Sequence, residues 1–161
     1  VRNPVQMKEE VWGIVERRLR EGEYHTPLDI VRCCGDPMIP LAAGIAGTYP
    51  GTIILAGGTQ MLSVAALLKG MNLPVPLVAT TCYVRDDPSA NFAEVAGMIG
   101  SPVSYVDPGF GELGHSGLAR YCIGEVKEGM GAGGAMLLAW LIGHSPDAIR
   151  NKILHTVHGY A

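Results

Sequence analysis

Two patterns of apolar residues alternate along the chain and predict alternating strands and helices. Short uninterrupted apolar runs, typical of strands buried on both faces of a parallel sheet, occupy residues 52–56, 76–81 and 102–106. Helical periodicity, or proline and glycine signals at helix ends, marks residues 7–21, a segment beginning at Thr26-Pro27, and residues 38–47, 61–69, 88–99, 116–123, 132–142 and 148–158. The alternation predicts an α/β fold of the three-layer, Rossmann-like kind, with helices flanking a mostly parallel sheet.

Composition supports a folded domain and limits its partners. Of the 161 residues, 48% are hydrophobic and 17% are charged, so the chain can bury enough apolar surface to fold. We find no linker or repeat and expect residues 1–161 to form a single α/β domain. The formal net charge of -3 argues against a nucleic-acid partner. The most apolar stretch, residues 132–143, is too short to cross a bilayer, so we expect no membrane partner and a cytoplasmic location.

The four cysteines indicate neither a zinc site nor a disulfide framework. Cys33 and Cys34 are adjacent, and no C-x-x-C pair occurs among these two, Cys82 and Cys122. We therefore expect buried, reduced thiols, and we expect neither a metal nor a cofactor.

The chain has 22 glycines, and two glycine-rich stretches are candidate ligand loops. The first follows the strand predicted at 52–56 and contains Gly57, Gly58, Thr59 and Gln60. Such a loop lets a ligand approach the backbone, and the next helix offers free N–H groups to an anion. The alternative is a plain strand-to-helix turn capped by Thr59.

The second stretch covers residues 127–134 and contains the spacing G-x-G-x-x-G at Gly129, Gly131 and Gly134. A dinucleotide fingerprint would need a following strand that ends in an acidic residue, and none is predicted there. Glu128 is the more useful residue, because burial would raise the pKa of its carboxyl and a helix N-terminus would lower it, which suits a general base. The alternative is an exposed glutamate paired with Lys127.

The histidines are weaker candidates. His155 and His158 are three residues apart on the last predicted helix, with no third ligand at metal-like spacing. His115 and Ser116 follow the third predicted strand, but no aspartate at a telling spacing completes a catalytic serine site. A loop or helix-cap role fits these two better.

Three segments together carry a resemblance to a known family. They are Gly-Asp-Pro-Met at 35–38, Leu-Ala-Gly-Gly-Thr-Gln-Met at 55–61 and Val-Lys-Glu-Gly-Met-Gly-Ala-Gly-Gly-Ala at 126–135. In this order they resemble the archaeal and cyanobacterial branch of the nicotinate-nucleotide–dimethylbenzimidazole phosphoribosyltransferase (CobT) family. The resemblance covers most of the chain.

The resemblance implies a cytosolic, metal-free and commonly dimeric enzyme of cobamide nucleotide-loop assembly. Such an enzyme moves the phosphoribosyl group of nicotinate mononucleotide onto a benzimidazole-type base, giving an α-ribazole phosphate. It also implies that Glu128 is the general base and that the 57–60 loop, Ser116, Gly129 and Gly131 lie near the substrates. Ser116 lies in a loop that departs from the bacterial pattern of the family.

The resemblance is limited to the C-terminal half of the family's chains. The other half carries a further glycine- and threonine-rich loop that helps hold the nucleotide, and nothing in this sequence replaces it. We therefore expect a homodimer or a pairing with an N-terminal half, and little activity from this chain alone. Two alternatives stay open, namely a related transferase that uses another base and a non-catalytic binding or assembly module of the same fold.

Overall fold

The computed structural model describes residues 5–124 and 131–160. Strands and helices alternate as predicted from the hydrophobic pattern. In chain order the elements are α1 (Val5–Glu21), α2 (Pro27–Cys34), α3 (Met38–Thr48), β1 (Ile54–Ala56), α4 (Thr59–Gly70), β2 (Leu77–Thr81), α5 (Cys82–Arg85), α6 (Phe92–Ile99), β3 (Val103–Val106), a 3-10 helix (Phe110–Glu112), α7 (Ser116–Cys122), α8 (Ala132–Leu141) and α9 (Pro146–His158).

Local capping explains several helix boundaries. Thr26 and Asp29 form a capping box at the start of α2, with the Thr26 N–H donating to the Asp29 carboxylate at 2.9 Å. Pro27 follows at the first helical position, where its missing N–H costs nothing. Ser145 caps α9, where its hydroxyl oxygen accepts a hydrogen bond from the Ala148 N–H at 3.2 Å. The predicted starts of these helices are correct to within two residues.

The helix predicted at 88–99 is correct at its end but starts four residues too early. Residues 82–85 form the separate short helix α5, and α6 begins only at Phe92. Between them, the Asp87 carboxylate accepts a hydrogen bond from the Ser89 N–H at 2.9 Å, and Asn91 has a left-handed φ of 48°. Both features stop a helix from continuing, because they commit the backbone to a turn.

The described strands form one parallel sheet with the order β1-β2-β3. Leu55 pairs with Val78, which pairs with Val103, so the three strands are in register across the sheet. The helices α3, α4 and α6 form a layer on one face, and α8 packs against all three strands on the other. The predicted three-layer, Rossmann-like α/β fold is confirmed.

The main core lies between the sheet and the layer of α3, α4 and α6. Side chains alternate between the two faces of a strand, so every second strand residue points into this core. The fully or almost fully buried members are Leu55 and Val78 from the sheet with Ala43, Leu62, Val64, Ala65, Leu67, Leu68, Val84, Phe92 and Ala96 from the helices. None of the described helices has both the length and the apolar character needed to cross a membrane.

On the opposite face, two glycines let α8 lie directly on the sheet. A Cβ atom built on Gly133 would lie 2.6 Å from the Thr80 Cα and closer still to the Thr80 carbonyl group. A Cβ atom built on Gly134 would lie 2.8 Å from the Ala56 Cα. Any larger side chain at either position would push the helix away from the two strands, because backbone atoms cannot move aside cheaply.

We predict that Gly133→Ala destabilises the protein by about 2 kcal/mol, the cost typical of overpacking a tight contact. The matched control is Gly97→Ala in α6, where nothing lies within 4 Å of the added Cβ. That variant should gain up to about 1 kcal/mol from the higher helix propensity of alanine. Urea denaturation measures both changes, and equal stabilities for the two variants would contradict the close packing of α8.

Candidate functional site

Because all three strands are parallel, the residues that follow them meet at one edge of the sheet, where α/β proteins commonly bind ligands. The 57–60 loop follows β1, Cys82 follows β2 and Asp107 follows β3. The beginning of α8 lies at the same edge, since a Cβ atom on Gly131 would be 3.8 Å from the Ala56 carbonyl oxygen. The structure thus brings Gly131 from the second glycine-rich stretch to the beginning of the first.

The 57–60 loop is a tight connection whose two glycines are buried. The Gly57 N–H donates to the Ala79 carbonyl at 3.1 Å, which ties the loop to β2. Helix α4 starts at Thr59, with Gly58 as an N-cap residue that provides no side-chain hydrogen bond. The interpretation of this loop as a turn capped by Thr59 is therefore wrong.

Thr59 and Gln60 have exposed side chains that form no hydrogen bond with the described residues. They are the first residues of α4, so their N–H groups have no intrahelical acceptor. Helix α8 also begins without a side-chain cap, at Gly131. Among the described residues, these two helix starts at one sheet edge have no side-chain cap, and their dipoles create a positive potential that favours an anionic ligand.

Glu128 and Gly129 lie outside the described residues, as does Lys127. Their roles therefore stay predictions from the sequence. In the chain, Glu128 precedes Gly131 by three residues.

Ser116 is the exposed first residue of α7. Its neighbour His115 caps this helix, with Nδ1 accepting a hydrogen bond from the Leu118 N–H at 3.3 Å, as the helix-cap interpretation predicts. Helix α7 packs against the 3-10 helix, where Tyr121 contacts the rings of Tyr83 and Phe110. No hydrogen bond among the described residues joins Ser116 to the 57–60 loop.

The sequence analysis missed two threonines at the end of β2. Thr80 and Thr81 are completely buried, and neither hydroxyl has a hydrogen-bond partner among the described residues. Strand alternation directs the Thr81 side chain to the α8 face of the sheet and that of Thr80 to the opposite face. Their position at the end of a predicted strand was the available signal, which glycine content does not detect.

Cys82 and Asp107 form a second unforeseen pair at the same edge. Burial, followed by the negative charge of Asp107 and a hydrogen bond to it, raises the pKa of the Cys82 thiol to about 11. This thiol is therefore protonated at neutral pH. All four cysteines are free, as expected, but they are half-buried rather than fully buried.

Arg150 of α9 holds the turn that follows β3. Its Nε donates to the Pro108 carbonyl at 3.2 Å, and its guanidinium lies against Gly109, which has a left-handed φ of 64°. The left-handed φ favours glycine at position 109, and a Cβ atom there would lie 2.7 Å from the guanidinium and displace it. Arg150 is half-buried and lies on a helix far from β3 in the sequence, so sequence spacing could not place it at the carboxyl edge of the sheet.

The two histidines of α9 do not form a metal site with the other described residues. The His158 ring lies 5.6 Å from the His115 ring, in an edge-to-face arrangement, and His155 is exposed. Within residues 5–124 and 131–160, no three His, Cys, Asp or Glu side chains are grouped as metal ligands would be.

We predict that Thr81→Val raises the free energy of unfolding by about 1 kcal/mol. The change keeps the side-chain shape and removes a hydroxyl whose burial without a partner costs about 1–3 kcal/mol. The control is Thr48→Val, because the exposed Thr48 hydroxyl donates to the Gly44 carbonyl at 2.7 Å and its loss should change stability by less than about 0.5 kcal/mol. Thermal or urea unfolding that shows a large loss for Thr81→Val would mean that its hydroxyl has a partner in the folded chain.

We predict that iodoacetamide at pH 8 modifies Cys33 much faster than Cys82. The hydrogen bond with the Tyr24 hydroxyl is the main cause that lowers the pKa of Cys33, whereas a thiol with a pKa of about 11 is only about 0.1% thiolate at this pH. Mass spectrometry of tryptic peptides measures both rates. Asp107→Asn should accelerate only the modification of Cys82, and equal rates at the two cysteines would refute the assignment.

Comparisons with known proteins give sequence relatives but no assigned activity. No family model matches the sequence. The chain is 42% identical to a UPF0284 protein of Methanosarcina mazei, 41% to one of Thermococcus onnurineus and 40% to one of Methanothermobacter thermautotrophicus. Each alignment covers 94% of this chain but only 46%, 47% and 44% of the respective relative. The chain thus spans about half the length of the curated relatives it matches, and it is similar to one section of the UPF0284 proteins.

Proposed function

We propose that the protein takes part in phosphoribosyl transfer from nicotinate mononucleotide to a benzimidazole-type base, with Glu128 as the general base. The observation that carries the proposal is the meeting of the two glycine-rich stretches at the carboxyl edge of the sheet. Gly131 lies beside the Ala56 carbonyl, directly before the 57–60 loop. These are the segments in which the sequence resembles the CobT family, and they are far apart in the chain.

The phosphate of the nucleotide would bind at the start of α4. The first N–H groups of this helix have no side-chain cap, and the side chains of Thr59 and Gln60 are exposed beside them. A phosphate accepts several such hydrogen bonds at once and is favoured by the positive end of the helix dipole. Arg150, on the turn after β3, adds a fixed positive charge at the same edge of the sheet.

The proton of the incoming base would be taken by Glu128. As one ring nitrogen of the azole attacks the anomeric carbon, the N–H proton on the other nitrogen must leave, and a carboxylate within hydrogen-bond reach can accept it. Glu128 precedes Gly131 by three residues in the sequence, within the second glycine-rich stretch.

Nicotinate would leave from a ribose carbon that develops positive charge in the transition state. Positioning of the two substrates and electrostatic stabilisation then account for much of the rate, and no metal is required for either. In this proposal the rest of the nucleotide site is supplied by polypeptide equivalent to the section of the relatives that this chain does not match.

The test is an end-point assay for α-ribazole phosphate from nicotinate mononucleotide and dimethylbenzimidazole. The chain is assayed alone and after coexpression with the section of the Methanosarcina mazei relative that lies outside the match. We predict product mainly from the coexpressed pair, and we predict that Glu128→Gln lowers turnover about 10²–10⁴-fold, the usual contribution of a general base.

Glu112→Gln is the matched control, because Glu112 is an exposed glutamate in the 3-10 helix and should leave turnover unchanged. Robust turnover by the chain alone would refute the shared site. If no mixture of folded proteins forms product, the next measurement is thermal unfolding of the chain with and without dimethylbenzimidazole. A raised Tm would indicate a binding module of this fold, since a ligand stabilises the state that binds it.

A further inference from the structure

Within residues 5–124 and 131–160, no strand pairs with the outer edge of β1. In a parallel ladder, alternate residues direct both backbone groups to the same neighbouring strand. The Gly57 N–H donates to the Ala79 carbonyl, so Gly57 and Leu55, two residues before it, direct their backbone groups toward β2. Ile54 and Ala56 therefore direct their N–H and C=O groups away from β2, where no described strand pairs with them.

The helical layer extends beyond this open edge. Helix α4 packs against both α3 and α6, and α6 is the connection from β2 to β3. Helix α3 is thus left on the β1 side of the layer, and it leads directly into β1. Because parallel crossovers are right-handed, a helix in this place normally connects to β1 from a strand on its outer side. Here α3 is preceded by α1 and α2 instead of a strand.

Apolar surface is also left uncovered beside this position. On α3, Leu41 and Ile45 are 67% and 57% exposed. They are four residues apart and lie next to the arc of Met38, Ala42 and Ala46, which packs against the core. These two exposed side chains extend the apolar surface of α3 beyond the part that the described residues cover.

We propose that the outer edge of β1 pairs with a parallel strand from the polypeptide that corresponds to the unmatched section of the UPF0284 relatives. The chain spans only 46% of the Methanosarcina mazei relative, so more than half of that protein is available as the occupant. The added strand would satisfy the backbone groups of Ile54 and Ala56, and its flanking residues would cover Leu41 and Ile45. This proposal concerns assembly of the sheet and does not rest on the proposed function.

The experiment is hydrogen exchange on the chain alone and on the chain coexpressed with the unmatched section of the Methanosarcina mazei relative. We predict a stoichiometric complex in which exchange of the Ile54 and Ala56 amides is slowed at least about tenfold. The Val103 and Tyr105 amides, which face outward from β3 by the same ladder argument, are the internal control and should not change.

A pair of proline variants tests the same edge. Ile54→Pro removes an outward N–H and leaves the β1–β2 ladder intact, so it should weaken the complex at least about tenfold. Val103→Pro removes the equivalent outward N–H of β3 and should leave the affinity unchanged. Where a variant fails to fold, as judged by circular dichroism, the exchange measurement on the unaltered chain decides.

Three results would overturn the proposal. The first is the absence of a complex, and the second is a complex in which the Ile54 and Ala56 amides exchange as fast as in the chain alone. The third is protection of these amides in a homodimer of this chain, which would identify a second copy as the occupant of the edge.

Discussion

The contact of Gly133 and Gly134 with the backbone of β1 and β2 is the constraint on which the candidate site depends. It brings α8 onto the sheet without intervening side chains and directs the start of this helix to the carboxyl edge. The same contact brings Gly131 to Ala56, at the beginning of the 57–60 loop. If α8 lay farther from the sheet, the two glycine-rich stretches would be separated.

The carboxyl edge contains more polar chemistry than glycine content alone indicated. Two uncapped helix starts, two buried threonine hydroxyls, a protonated thiol beside a carboxylate and a half-buried arginine lie around the ends of three strands. Each group is held by the parallel sheet, since strand ends in such a sheet converge on one side. The helix starts and the arginine give this edge a positive electrostatic potential.

The open edge of β1 and the exposed face of α3 point to the same conclusion as the partial match to the relatives, namely that further polypeptide packs against this section. The parallel sheet formed by the described residues has three strands, which is small for an α/β protein. Helices α4 and α6 connect these strands, so α3 is one helix more than the connections need. The relatives are more than twice as long as the section that matches. Both observations are explained if further polypeptide extends the sheet.

The sequence by itself determined the α/β class, the three strands and most helix boundaries. These features depend on local hydrophobic period and on caps such as Thr26 with Asp29, which act within a few residues. It placed the start of α6 four residues too early, because the turn at Asp87 and the left-handed Asn91 outweigh the apolar pattern there. Tertiary structure alone decided that Gly131 lies at Ala56 and that Arg150 holds the turn after β3, since both contacts join residues far apart in the chain and depend on packing rather than on local preference.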